Sequence, residues 1–194
     1  MTSTFSYLSE IETAVTAFLD AMWKEHKLLT LLRDELTRLE KDSPARNSAG
    51  EEEIKNLERI IGVHEFSANV LAGDVLQYAM QRANSARCPE GRQIHGRSLR
   101  DLIWFGRTQA IQHERWTYAS TARRRASLTP ETEKGNNEFQ WDLTIMEFFR
   151  KLKDDVDPPM LYHPTVFDLS FMVVNLLNWK DFESFKKDML LLER

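Results

Sequence analysis

The chain has 194 residues, of which 42% are hydrophobic and 29% are charged, a balance that is typical of a globular domain and excludes a disordered chain. Seven glycines and six prolines are too few for the many turns of a β-sandwich or β-barrel. The single cysteine, Cys88, excludes an internal disulfide and a multi-cysteine zinc site. Apolar runs are too short for a membrane span, and the N-terminus lacks an export signal, so we expect a cytoplasmic protein. We also expect no cofactor.

Residues 4–41 are predicted to form one long helix, because apolar side chains recur at alternating steps of three and four. The predicted stripe consists of Tyr7, Ile11, Ala14, Phe18, Ala21, Leu28, Leu32 and Leu39, widened by Leu8, Val15, Met22, Leu29 and Leu36. A loop rich in helix breakers follows over residues 43–50.

A second helix is predicted from about Glu51 to about Ala86, with a repeat near 3.5 residues. Its stripe consists of Ile54, Leu57, Ile61, His64, Ala68, Leu71, Val75 and Tyr78. His64 continues this stripe, which favours a buried histidine with a hydrogen-bond partner over a metal ligand. Two long helices joined by a short loop indicate an antiparallel hairpin.

The C-terminal half is predicted to contain shorter helices. After a loop at 87–97, Ser98 and Asp101 form a helix-start signature for a third helix at about 99–126. A polar connector covers residues 127–137. The remaining predicted helices are 138–155 (with Trp141, Ile145, Phe148, Phe149 and Leu152), 166–177, and a last one with Phe182, Phe185, Met189 and Leu192. Residues 165–177 also fit a strand, although no partner strand is evident. We expect an all-α fold, an antiparallel four-helix up-and-down bundle with short extra C-terminal helices.

Charge is distributed unevenly along the chain. Residues 82–125 contain ten arginines, no lysine and three acids, a local charge of +7 in a chain whose net charge is −4. Arginine binds phosphate through two parallel hydrogen bonds, so this segment indicates a polyanion site. The alternative is that these arginines neutralise the acidic helices around them. The two interpretations stay open at this point.

Known catalytic motifs are absent. The sequence has no phosphate-binding GxxxxGK[ST] loop, no GxGxxG, no GxSxG and no HExxH. A di-iron helical bundle requires Glu three residues before His, and none of the five histidines has it. His26 is most simply a surface or boundary residue.

Arg107 and His113 stand near each other in the third predicted helix. Their side chains are separated by about 120° around the helix axis, and long side chains can converge from there. Glu114 falls seven residues after Arg107 and is expected to orient the arginine by ion pairing. A histidine can transfer a proton near neutral pH, and an arginine can stabilise charge on phosphorus. The alternative is that Arg107 and His113 only cap the end of the helix or are exposed to solvent there.

The segment from Arg107 to His113 resembles the signature helix of the HEPN family, in which an arginine is followed by four to six residues and a histidine. The preceding SLRDLIWFGR (98–107) and the C-terminal 166–190 also resemble one branch of this family. In that pattern Asn, Asp or His commonly follows the arginine, where this chain has Thr108, and Gln112 occupies the commonest histidine position.

The resemblance implies a single helical domain over residues 1–194 that forms a homodimer and cleaves RNA without a metal, as a toxin or antiviral effector. His113 then acts as general acid or base, and Arg107 stabilises the pentavalent phosphorus. We expect the partner helix of the second subunit on the small face formed by Gly106 and Ala110. The residues expected to contact RNA are Arg97, Arg100, Thr108, Gln112, Arg115, Arg123, Arg124 and Arg125.

Two other functions remain open at the level of the sequence. One is a catalytically inactive HEPN-like bundle that binds nucleic acid through its arginines. The other is an interaction protein whose arginines contact an acidic partner, such as an antitoxin or a defence component.

Overall fold

The computed structural model describes residues 4–42, 48–84, 90–111 and 169–192. Within these residues the chain is mostly helical, as predicted, and it contains one small antiparallel sheet that was not predicted. The elements in chain order are α1 (Thr4–Asp42), α2 (Ser48–Ala83), β1 (Gln93–Ile94), β2 (Arg97–Ser98), α3 (Leu99–Ile111), α4 (Leu169–Leu176) and α5 (Phe182–Leu191). The predicted helix at 138–155 lies outside the described residues. None of the described helices has the length and apolarity needed to cross a membrane.

The two long helices pack along each other and form the predicted hairpin. Its core consists of Leu8, Ile11, Val15, Leu19, Met22 and Leu29 of α1 and Ile61, Ala68, Ala72, Val75, Leu76 and Ala79 of α2. The predicted stripe on α1 is wrong at Leu28, which is 38% exposed. A repeat of 3.5 residues drifts by about 20° per heptad on a straight helix with 3.6 residues per turn, so Leu28 falls outside the core, while the predicted Leu29 is buried.

Polar side chains join α1 and α2 along the hairpin. The Tyr7 hydroxyl donates a hydrogen bond to the Tyr78 carbonyl oxygen at 2.8 Å, and burial raises the pKa of Tyr7 to about 12. His64 Nδ1 lies 2.6 Å from Glu25 Oε2. The predicted partner for His64 therefore exists, although its side chain remains 27% exposed.

A tight β-turn sets the start of α3. His95 and Gly96 have φ angles of 47° and 77°, and two successive positive φ angles are typical of the two-residue turns that join antiparallel strands. Ser98 follows in β2, and its hydroxyl accepts a hydrogen bond from the Asp101 amide at 3.1 Å. This contact confirms Ser98 as the predicted helix-start residue.

Helices α3 and α4 form a second layer on α2. The segment 165–177 was open between helix and strand, and Leu169–Leu176 is helical. A Cβ atom on Gly106 would lie 2.6 Å from Leu76 Cδ1 and 3.0 Å from Val173 Cβ. The Gly106 carbonyl accepts a hydrogen bond from the Ser170 hydroxyl at 2.8 Å. At Gly106 the expected partner helix of a second subunit is therefore wrong, because α2 and α4 of the same chain already occupy this position. The side chain of Ala110, the other residue of the expected face, lies outside the described part of the structure.

Helix α5 is attached to the loop before β1 by a buried carboxylate. Arg92 donates from Nε and from a terminal nitrogen to the two oxygens of Asp188, both at 2.8 Å. The Trp179 indole donates to the same carboxylate at 2.8 Å. Asp188 is 3% exposed, and these three donors satisfy a charge that burial would otherwise penalise.

His26 occupies the predicted boundary position. Its ring lies 5.4 Å from that of Trp23 and 5.1 Å from that of Phe171 in α4. Burial, together with the positive charge of Arg33, lowers the pKa of His26 below its usual 6.5. The folded state therefore favours the neutral ring over the charged one.

We predict a specific loss of stability in mild acid from this histidine. The unfolded chain binds a proton near pH 6.5 and the folded chain only at lower pH, so the contribution is complete above pH 6.5 and is lost as the pH falls below it. Urea unfolding at pH 7.5 and pH 5.5 should show a larger decrease for the native chain than for His26→Gln. Equal decreases would contradict the prediction.

We also predict that Gly106→Ala destabilises the protein by about 1–3 kcal/mol, because the added methyl group overlaps Leu76 and Val173. Gly62 provides a matched control, since a Cβ atom there meets nothing within 4 Å. Gly62→Ala should stabilise the helix by roughly 0.5–1 kcal/mol. Thermal unfolding of both variants tests the pair, and a Gly106→Ala variant as stable as the native protein would contradict the packing described here.

Candidate functional site

The predicted site residues fall into two groups. Arg97 lies on β2, and Arg100, Arg107 and the backbone of Thr108 lie on α3. The remaining predicted residues, His113, Gln112, Arg115, Arg123, Arg124 and Arg125, lie outside the described residues. The structure therefore describes the Arg107 half of the predicted catalytic pair.

Helix α3 carries two of these arginines on the same side, with a tryptophan between them. Arg100, Trp104 and Arg107 are spaced by four and three residues, which places them on one helix face. Trp104 is 41% exposed, and one side of its indole contacts the ring of Phe105 edge-on, with centroids 6.0 Å apart. We refer to Arg100, Trp104 and Arg107 as the α3 basic face.

Arg107 is held by a side chain of α2. Its Nε donates a hydrogen bond to Gln77 Oε1 at 2.5 Å. This bond uses Nε and does not involve the two terminal nitrogens, which together can form a two-point contact with phosphate. We expected Glu114 to orient Arg107. In the described part of the chain the orienting group is Gln77, and Glu114 lies outside it.

A surface cleft of about 300 Å³ adjoins the Arg100 end of the basic face. It is lined by Met80, Ala83, Asn84, Glu90, Arg100, Asp101 and Trp104. The lining combines the exposed indole with a guanidinium, a side-chain amide and two carboxylates. Such a surface suits a ligand that has both a flat aromatic group and hydrogen-bonding edges.

The start of α3 is fixed independently of any ligand. The Leu99 amide donates to the Arg92 carbonyl at 2.9 Å, and the Arg100 amide donates to the Glu90 carbonyl at 3.1 Å. Because these are backbone bonds, the orientation of helix α3, which carries the α3 basic face, follows from the fold of residues 90–98. Preorganised groups of this kind lose little freedom when they bind.

Arg92 shows that not every arginine of the +7 segment serves a polyanion site. Its guanidinium is bound by Asp188, and it also donates to the Leu177 carbonyl at 2.8 Å. For this residue, the interpretation that the arginines neutralise acidic groups is confirmed. The polyanion interpretation stays a prediction for the arginines of α3.

A metal-dependent site is not evident in the part of the chain that the structure describes, where no three histidine, cysteine or acidic side chains come together. His64 and Glu25 form a pair, and the neighbouring carboxylate of Glu65 is engaged by Arg33.

Comparisons with known proteins give no relative for this chain: no family model, no curated protein and no solved structure matches it. The residues of α3 and their surroundings therefore carry the information about function.

Two residues of this surface were missed at the level of the sequence. Trp104 had a usable signal, because it lies four residues after Arg100 and three before Arg107. Gln77 had none, because it is distant from Arg107 in the sequence and becomes its neighbour only when α3 packs on α2.

Proposed function

We propose that this chain is an HEPN-like, RNA-acting protein that works as a dimer and cleaves RNA without a metal. The observation that supports the proposal is the α3 basic face, on which an exposed indole lies between two guanidinium groups. One of these, Arg107, is the arginine of the Arg-x₅-His motif, and Gln77 holds it in place. In the complete domain we expect a four-helix up-and-down bundle.

Single-stranded RNA matches this face chemically. Unpaired bases stack on exposed aromatic side chains, and the phosphates between them bind arginine. Residues at i, i+4 and i+7 are separated along a helix by about 6 Å and 4.5 Å. This spacing is comparable to the distance between neighbouring nucleotides in a strand, so one base can contact Trp104 while the phosphates on either side contact Arg100 and Arg107.

The proposed chemistry assigns different roles to Arg107 and His113. Arg107 stabilises the negative charge that develops on the pentavalent phosphorus. His113 moves a proton to or from the RNA 2′-hydroxyl or the leaving oxygen. The cell would use such an activity as a toxin or antiviral effector, and an antitoxin or another defence component would be its protein partner.

A second candidate is a catalytically inactive protein that binds RNA or a partner protein. The exposed Trp104 favours RNA binding within this alternative, since a purely acidic protein partner would need the arginines but not the indole. Turnover distinguishes this candidate from the first one.

We predict that Trp104→Ala weakens the binding of single-stranded RNA by about 1–3 kcal/mol, because the stacking platform is lost. Trp104→Phe should retain most of the affinity, since a phenyl ring also stacks. Fluorescence anisotropy with a short labelled RNA measures both. Leu31→Ala, which changes an exposed apolar residue of α1, serves as the control, and equal affinities for all four proteins would contradict base stacking.

We predict that the native chain cleaves single-stranded RNA in EDTA and that Arg107→Ala slows cleavage by roughly 10²–10³-fold. His113→Ala should slow it by roughly 10²–10⁴-fold. Arg59→Ala and His95→Asn provide matched controls, because Arg59 lies on exposed α2 surface and asparagine tolerates the positive φ of residue 95.

The possible results separate the two candidates. RNA binding without turnover by the native chain would support the inactive protein. Absence of both binding and turnover would reject both RNA functions. Binding should also weaken as the salt concentration increases, in proportion to the number of phosphates contacted.

A further inference from the structure

Helix α2 exposes a row of large apolar side chains on the side that faces away from α1. The row consists of Val63, Phe66 and Val70, which are 60%, 59% and 45% exposed. They are spaced by three and four residues and therefore share one face. Single exposed apolar residues are common, but three in a line on one helix indicate a surface that binds something. We refer to these three residues as the α2 apolar row.

Helix α3 covers the part of α2 that continues this row toward its C-terminal end. Gln77 lies seven residues after Val70, on the same face, and there Arg107 of α3 contacts it. Leu76 contacts Gly106, while Met80 and Asn84 share a cleft with Arg100 and Trp104. Helix α3 thus runs antiparallel to α2 and covers residues 76–84. The exposed row begins where this cover ends.

The described residues on either side of the stretch 112–168 lie beside the α2 apolar row. Helix α3 is described as far as Ile111, about one turn beyond Arg107. Helix α4 begins at Leu169, and the Phe171 amide donates to Asn69 Oδ1 at 3.2 Å. Asn69 is the residue before Val70. Both ends of the stretch 112–168 therefore lie next to the C-terminal end of the row.

Within this stretch, residues 138–155 combine a high apolar content with the spacing of a helix face, whereas the apolar residues of 156–168 are interrupted by three prolines. Residues 112–137 have Trp116, Tyr118 and Leu128 as their only large apolar or aromatic side chains. Residues 138–155 carry Trp141, Ile145, Phe148 and Leu152 at steps of four, three and four, the spacing of one helix face. On a helix this face is about 16 Å long, and the row on α2 is about 10 Å long.

The connections are long enough for these two faces to meet. Residues 156–168 join the segment to α4, and a connection of this length can extend over roughly 43 Å. Residues 112–137 form a longer connection on the other side. We propose that Val63, Phe66 and Val70 form the docking surface for residues 138–155 of the same chain. This surface is separate from the α3 basic face, and the proposal does not depend on RNA binding.

The proposal predicts a disulfide within one chain. In a Cys88→Ser background, Phe66→Cys is combined in turn with Ile145→Cys, Phe148→Cys or Leu152→Cys, because any of the three can lie opposite residue 66. At least one pair should oxidise to a bridged monomer, detected on a non-reducing gel and by the loss of two free thiols in mass spectrometry.

Two control pairs use residues that the proposal keeps apart. Phe66→Cys with Arg150→Cys tests the opposite side of the segment, since residues two apart on a helix point in different directions. Leu31→Cys with Phe148→Cys tests an apolar residue of α1 that is 67% exposed but does not belong to the row. Both pairs should stay reduced under the same conditions.

Other outcomes would overturn the proposal in identifiable ways. Disulfide-linked dimers would show that a second copy of the chain covers the row. A bridge from Phe66→Cys to Tyr118→Cys would show that an extension of α3 covers it. Rapid maleimide labelling of both cysteines in all three pairs would show that residues 138–155 do not bind there.

A stability measurement tests the same surface without cysteines. Phe66→Asp should lower the melting temperature by roughly 5 °C, because the charge would be buried beneath the docked segment. Leu31→Asp, at a similarly exposed position, should change it by much less. Equal shifts for the two variants would contradict the docking.

Discussion

The buried carboxylate of Asp188 is the interaction on which the placement of the C-terminal helices against the loop before β1 depends. It receives hydrogen bonds from Arg92, which precedes β1, and from Trp179, which precedes α5. Arg92 also binds the Leu177 carbonyl after α4. The Asp188 carboxylate and its partner Arg92 therefore join the loop before β1 to α5 and to the C-terminal end of α4. The Arg92 carbonyl also accepts a hydrogen bond from the Leu99 amide, so the residue that binds Asp188 is bonded to the first residue of α3 as well.

The long hairpin was predictable because its information is local. Two long amphipathic repeats specify α1 and α2 whatever the rest of the chain does, and Ser98 marks the start of α3 in the same way. Within the hairpin, the α1 stripe was wrong at Leu28, and α2 begins at Ser48, inside the predicted loop 43–50. The hairpin at 93–98 was missed because its strands have two residues each, and such short strands leave no periodic pattern in the sequence.

The candidate site was predictable only in part. The residues that lie close together in the sequence could be predicted, whereas those that packing brings together could not. Arg100 and Arg107 stand out in the sequence through composition and spacing, and Trp104 shares that spacing. Gln77 and Asn69 acquire their roles from packing between helices, which a single sequence does not specify. The small residue Gly106 was correctly identified as a place of close approach, but the approaching helices belong to the same chain.

Gly106 has a further consequence for the neighbouring arginine. Without a side chain at this position, the backbone of α3 lies directly against Leu76 and Val173. The thickness of the interface at that point sets the height of the next residue, Arg107, above α2. A guanidinium held at this height reaches an amide oxygen that is rooted in the same turn of α2 as Leu76. Because Gly106 lacks a methyl group, α3 packs close to α2, and this close packing determines where the positive charge of Arg107 lies on the surface.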